Sequence, residues 1–258
     1  MTAKWLAVVL LGLAALFGQA AAQEITIAAA ADLSSALTEL TSDYQKQTGI
    51  KVRLSFGSSG NLTQQIKNGA PFDLFFSADE DYPRQLIEAG LAEPDSLYRY
   101  AMGRLILWVP TSSALDLEHQ GMNALLDSSM KKLAIANPQH APYGRAAVAA
   151  LRHFQLYGKV ADRLVLGENV SQAAQFVESG NAQAGLIALS HALAPTMKDK
   201  GRYWGVPTDA YPELDQGAVV LSRSQHKKEA AAFLAYLKTS TARATLRRYG
   251  FALPQENH

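Results

Sequence analysis

EITIAAAADLSSALTELTSDYQKQTGIKVRLSFGSSG, residues 24–60, decides the fold. Glu24–Ala29 is a run of strand length. After it, Leu33, Ala36, Leu37, Leu40 and Tyr44 fall at i, i+3, i+4, i+7 and i+11, the spacing of one helix face. Lys51–Phe56 then alternates, with Val52, Leu54 and Phe56 on one side, which is the period of a strand. Strand, helix and strand in succession predict parallel pairing, because the helix carries the chain back across the sheet.

The alternation continues downstream. A helix pairing Leu62 with Ile66 stops at Gly69-Ala70-Pro71, Leu74–Phe76 is a buried strand, and Ser77-x-x-Glu80 fits a capping box opening the next helix. Arg104–Val109, Leu133–Ala136, Leu164–Leu166, Gly185–Leu189 and Ala218–Leu221 are further strands. Helices are predicted near 143–156 and 170–179, around Phe233, Tyr236 and Leu237, and over 240–249. The class is α/β, with largely parallel sheets flanked by helices. One doubly wound sheet and two sheets joined by a hinge both satisfy this pattern.

Lys4 precedes an apolar run from Trp5 to Gly18, and Ala20-Ala21-Ala22 supplies small residues for cleavage, so residues 1–22 read as a removable secretory signal. The run is shorter than the roughly 20 residues a membrane span needs. No cysteine follows it, which excludes a lipid anchor there and predicts a soluble periplasmic protein beginning near Gln23. Lys4 is the one charge in that segment, so the remaining 236 residues carry 23 basic and 23 acidic side chains. Such a balance argues against a nucleic-acid partner. With zero cysteines, neither disulfides nor thiolate metal sites are available.

Four places share one character: a strand ends, small or hydroxyl residues follow, and a helix starts. They are Ala30-Ala31-Asp32-Leu33, Gly57-Ser58-Ser59-Gly60, Ala141-Pro142-Tyr143-Gly144 and Glu168-Asn169-Val170-Ser171. A helix start exposes N–H groups without internal partners and carries a partial positive charge, so it seats anions. Several aimed at one point would hold a dianion without Lys or Arg, and would let it leave again. Taken singly, Asp32, Ser58 or Ser59, and Asn169 are ordinary N-caps, and Asn169-x-x-Gln172 fits a capping box.

Other classes find less support. Gly57-Ser58-Ser59-Gly60-Asn61 is not a G-x-S-x-G elbow, which weakens a serine/histidine hydrolase. The six histidines (119, 140, 153, 191, 226 and 258) form no metal-binding pattern, and only His140, inside the third loop, is worth testing as a base. Trp108, Trp204 and Phe75-Phe76 sit in strand-like runs and read as core rather than as a partner surface. Arg145 reads as part of a solvated face, and Tyr211-Pro212 as part of a crossing without chemistry of its own.

Ala28–Leu33 (AAAADL), Phe56–Gln65 (FGSSGNLTQQ), Gly69–Glu80 (GAPFDLFFSADE), Tyr100–Trp108 (YAMGRLILW), Ala136–Gly144 (ANPQHAPYG) and Tyr249–Pro254 (YGFALP), in that order, resemble the periplasmic molybdate-binding proteins of ABC importers, which are type II periplasmic solute-binding proteins. The resemblance covers nearly all of the chain after the signal. It implies a two-lobed Venus-flytrap, with residues 23–103 and 217–258 in one lobe, 104–216 in the other, and crossings near 101–106 and 213–218. It also implies a tetrahedral oxyanion, molybdate or tungstate, held by neutral donors in the interlobe cleft. Carried over, the binding residues are Ala31, Asp32, Ser58, Ser59, Tyr143 and the backbone N–H of Val170. No enzymatic step, cofactor or metal-cation ligand is implied. The partners would be a membrane permease and its ATPase, and the binding protein itself a monomer.

Two departures from the family pattern stand out. Ala188 occupies a strand-end position where some members carry a tyrosine, and Tyr143 offers a phenol instead. Asp32 stands where Ser or Asn often donates, yet an ionised carboxylate cannot donate and repels a dianion. Three readings of Asp32 stay open: it caps its own helix, it is protonated when ligand binds, or it accepts a proton from hydrogen phosphate. The last keeps phosphate or arsenate among the alternative ligands; sulfate, which offers no proton at neutral pH, is a separate alternative oxyanion.

Overall fold

The structure, a computed structural model, describes residues 24–254, so the signal segment lies outside the described residues. Ten strands run in chain order: β1 (Glu24–Ala30), β2 (Lys51–Gly57), β3 (Leu74–Ser77), β4 (Tyr98–Met102), β5 (Leu105–Pro110), β6 (Leu133–Ala136), β7 (Leu164–Gly167), β8 (Ala184–Ala188), β9 (Gly201–Gly205) and β10 (Asp215–Val220). They form two five-stranded sheets, ordered β2-β1-β3-β10-β4 and β7-β6-β8-β5-β9. The helices of eight or more residues are α1 (Ser34–Thr48), α2 (Ser59–Lys67), α3 (Asp81–Glu88), α4 (Pro142–His153), α5 (Val170–Glu178), α6 (Lys227–Leu237) and α7 (Ser240–Arg248).

The two-sheet alternative is therefore the one adopted. Each sheet is mixed, however, rather than largely parallel. β1 pairs in parallel with β2 and β3, and β6 with β7 and β8, as helical crossovers require. The pairings of β10 with β3 and β4, and of β5 with β8 and β9, are antiparallel. β5 and β10 enter their sheets straight from the other lobe, with no α-helix to turn the chain round.

Chain direction and burial agree locally. Phe75 and Phe76 point to opposite faces of β3, as the two-residue period demands. Phe75 packs with Leu62, Ile66 and Leu86 beneath α2 and α3. Phe76 packs with Leu37, Tyr100 and Phe233 beneath α1 and α6, edge-on to the two rings at centroid distances of 5.3 and 6.1 Å. β2 is an edge strand, which leaves Phe56 exposed. Trp108 is fully buried in the second lobe and Trp204 packs partly buried against its core.

The chain changes sheet at Gly103–Arg104 and again within 206–214. The two crossings are tied side by side: Gly103 N–H donates to Leu214 O at 2.9 Å, and Leu105 N–H to the Tyr211 hydroxyl at 3.2 Å. Tyr211 thus holds the crossing together.

Candidate functional site

The site is built from the carboxyl ends of matching strands. β1 and β2 lie adjacent in the first sheet, and β6 and β7 in the second, and each leads into a helix start. In open α/β sheets this is where ligands bind. Ser58 caps α2, accepting Asn61 N–H at 3.4 Å, and Asn169 caps α5, accepting Gln172 N–H at 3.0 Å. Pro142 begins α4, where its missing N–H costs nothing. The capping box expected at Ser77-x-x-Glu80 is not formed. Glu80 makes no cap bond; Asp79 accepts Tyr82 N–H at 3.3 Å and Ser77 donates to Asp79.

Ala31, Asp32, Ser58, Ser59, Tyr143 and Val170 all line one cleft, whose free volume is about 10 Å³. That is below the roughly 300–1,000 Å³ of pockets for larger organic ligands, so the cleft suits a small group. The other lining residues are Ala30, Gly57, Ala78, Ala141, Pro142 and Asn169, and apart from Asp32 none of the lining residues is charged. Ser59 Oγ accepts Ala78 N–H at 3.0 Å, which leaves its one proton for an acceptor in the cleft. Val170, the first residue of α5, presents a backbone N–H that helix geometry leaves without an internal partner.

Asp32 is 2 % exposed and receives a hydrogen bond on Oδ2 from Gln216 Nε2, on β10. Gln216, itself fully buried, accepts the Tyr100 hydroxyl on Oε1 at 2.8 Å. Burial pushes the Asp32 carboxyl up from 3.8 to about 6; Gln216, the Tyr143 phenol and the N–H groups of Asp32 and Leu33 pull the other way. Asp32 Oδ1 has no hydrogen-bond partner. The cap reading of Asp32 is thus incomplete, because its hydrogen-bond partner is a side chain from a distant strand. The Tyr143 phenol is drawn to the same cluster: a Cβ at Gly103 would sit 2.3 Å from its oxygen and 2.8 Å from Gln216 Nε2.

The lobes touch on both sides of the cleft. Ser171 donates to Ala31 O at 3.0 Å and Ser190 to Asp32 O at 2.7 Å, fastening the first loop from behind. His191 Nε2 lies 2.7 Å from Ser171 Oγ, and burial holds its pKa down to about 4, so the ring is neutral. Opposite, Gly60 N–H donates to His140 O at 2.9 Å and Asn61 Nδ2 to Glu168 Oε2 at 3.2 Å. Arg145 pairs with Asp79 and donates to the Tyr82 hydroxyl at 3.2 Å. Arg145 is exposed, as its reading as part of a solvated face expects, and in addition makes contacts across the cleft.

Sequence reasoning missed Gln216, Ser171, Ser190, Asp79 and Tyr82. Ser171 and Asp79 lay within motifs already singled out, where their spacing suggested only capping. Gln216 stood at the edge of an apolar strand and carried no local signal. Among the described residues, no group of three or more His, Asp or Glu side chains is placed to hold a metal ion. Ser58 and His140 form a pair, but among the described residues no carboxylate is hydrogen-bonded to the ring's other nitrogen, as a hydrolytic triad would require.

Residues 25–252 match the family described as bacterial extracellular solute-binding protein. A molybdate-binding protein of Azotobacter vinelandii is 38% identical over 246 residues, covering 95% of this chain and 96% of its own length. One from Rhodobacter capsulatus is 37% identical over 232 residues, covering 90% and 89%. The solved structure of an Azotobacter vinelandii periplasmic molybdate-binding protein superposes with a TM-score of 0.84 at 36% identity, covering 90% of this chain and all of that one. Two lobes of equivalent topology, a small cleft at their facing strand ends and this end-to-end similarity lead to one conclusion: the chain belongs to the bacterial extracellular solute-binding protein family.

Proposed function

We propose that this protein binds molybdate, and tungstate with it, and hands the anion to a membrane permease driven by a cytoplasmic ATPase. The observation that carries the reading is the convergence of four helix starts, two from each lobe, on one small cleft with no lysine or arginine in its lining. Neutral donors stabilise a dianion through many modest hydrogen bonds, so it is held on closure and released on opening. The names of the relatives point to the same anion. Tungstate matches molybdate in charge, shape and nearly in size, whereas sulfate has shorter bonds and leaves donors unreached. The N-terminal segment is read as an export signal, and the binding protein works as a monomer without a cofactor.

Calorimetric titration of residues 23–258 with molybdate, tungstate, sulfate and phosphate tests this. One-to-one binding of the first two, with sulfate and phosphate silent, is expected. Heat from none of the four would sink it. A second reading, hydrogen phosphate, is favoured by one observation, the unpartnered Oδ1 of Asp32. That reading requires phosphate binding that weakens as pH rises and is lost in Asp32→Asn.

A further inference from the structure

The Ser58 hydroxyl has one proton and two hydrogen-bond neighbours, of which only one can accept it. Its Oγ is 3.4 Å from Asn61 N–H, which can only donate, and 2.8 Å from Nδ1 of His140, which donates or accepts according to where the ring proton sits. If Nδ1 is bare, Ser58 donates to the ring and turns only lone pairs toward the cleft, where they repel an anion. If Nδ1 carries a proton, it donates to Ser58, and the hydroxyl proton is released to point into the cleft.

We infer that His140 is a positioning residue: with its proton on Nδ1 it donates to Ser58 Oγ and aims the Ser58 hydroxyl at the bound oxyanion. The two residues belong to different lobes, Ser58 at the end of β2 and His140 between β6 and α4. The histidine is brought to the serine by closure, and its backbone is fixed there as well, since His140 O accepts Gly60 N–H at 2.9 Å and faces the Tyr82 hydroxyl at 3.5 Å. Gly60 makes that approach possible, because a Cβ there would lie 2.7 Å from His140 O and 2.9 Å from His140 Cβ. Closing the lobes therefore does more than surround the anion. It converts a hydroxyl that is free to rotate in the open form into a donor of fixed direction. This rests on the oxyanion reading of the cleft.

The test compares His140→Asn, whose amide Nδ2 offers an N–H near the position of the ring Nδ1, with His140→Ala, in the unsubstituted background and with Ser58→Ala. Molybdate is the probe in calorimetry, and melting curves without ligand establish that each variant is folded. His140→Asn is expected to bind within about threefold of the unsubstituted protein and His140→Ala about tenfold more weakly, the scale of one directed hydrogen bond. With Ser58→Ala the two histidine variants should bind alike, because nothing remains to be aimed. Nitrogen NMR of His140 in the molybdate complex should show a protonated Nδ1. Equal affinities for the two single variants, or a bare Nδ1 in the complex, would overturn the inference while leaving the proposed function standing. Absence of molybdate binding by the unsubstituted protein would overturn both.

Discussion

Asp32→Asn should stabilise this protein, and only above a defined pH. Asp32 titrates near 3.8 when solvated and at about 6 in the folded chain, with burial as the largest cause. Below about pH 4 the carboxyl is protonated in both states and contributes nothing to the difference. Between 4 and 6 the native state keeps a proton that the unfolded chain has released, so stability falls as pH rises. Above 6 the penalty is complete. At about 1.36 kcal/mol per pH unit it is roughly 3 kcal/mol, an upper figure because the surroundings relax around a buried charge. Asparagine keeps the shape and still accepts from Gln216 through its carbonyl oxygen. Its Nδ2 takes the place of Oδ1, which has no partner in the folded chain, so no existing hydrogen bond is lost.

The assay is a set of melting curves for both proteins, without ligand, from pH 4 to 8. The two should melt together near pH 4 and diverge through pH 6. At neutral pH the variant should be higher by roughly 6–12 °C if the lobes unfold together, taking about 2–4 °C per kcal/mol for a chain of this size. The same substitution removes a negative charge from the wall of a site for a dianion, so molybdate affinity should rise or hold. A variant that melts lower than the parent at pH 7.5, or a gap that does not change with pH, would refute the picture of a buried carboxylate held against its preference.

Three further outcomes follow from the cross-cleft contacts. Gly60→Ala places a methyl 2.7 Å from His140 O, so molybdate affinity should fall by about ten- to a hundredfold, while melting without ligand holds or rises because alanine favours the helix; calorimetry with melting curves separates the two. Arg145→Ala removes an ion pair whose side chains are 42 % and 13 % exposed, which limits its contribution to about 1 kcal/mol or less. Stopped-flow release of molybdate should quicken roughly two- to fivefold, by less in high salt. Ser171→Ala strips Ala31 O of its donor and His191 Nε2 of its partner within a buried contact, and binding measured by titration should weaken by about 1–3 kcal/mol.

How much of this was legible beforehand depends on how local each signal is. The helix and strand periods of residues 24–60 follow from one-sided burial, so α1, β1 and β2 emerged within a residue or two, as did the four helix starts. The antiparallel half of each sheet did not, because strand direction depends on which lobe the chain has just left, and no short pattern records that. Asp32 was recognised as anomalous from its charge alone. Its partner Gln216 was invisible, since a glutamine 184 positions away joins it only after β10 has paired with β3. The cross-lobe partner of the exposed Arg145 was invisible for the same reason: Asp79 faces it from the other lobe.

The interlobe contacts also bear on how such a cleft can hold an anion and still let it go. Several are hydroxyl or amide donors on backbone carbonyls, groups that water replaces at small net cost when the lobes part, each contributing on the order of 1 kcal/mol. A sum of such terms, set against freedom regained on opening, leaves the closed form near balance. An oxyanion that meets donors from both lobes adds affinity for the closed form alone, and its own binding energy moves the equilibrium. Had the cleft been lined with lysine or arginine, the attraction would persist in the half-open state, and the anion would leave slowly. The strained element is Asp32, whose buried charge opposes a dianion at its rim. Ionised, it weakens the hold; protonated, it relaxes it less. Molybdate binding above pH 6 should therefore take up a fraction of a proton, measurable as a dependence of the calorimetric heat on the ionisation enthalpy of the buffer. Heats identical in phosphate-free buffers of widely different ionisation enthalpy would show that Asp32 does not sense the ligand at all.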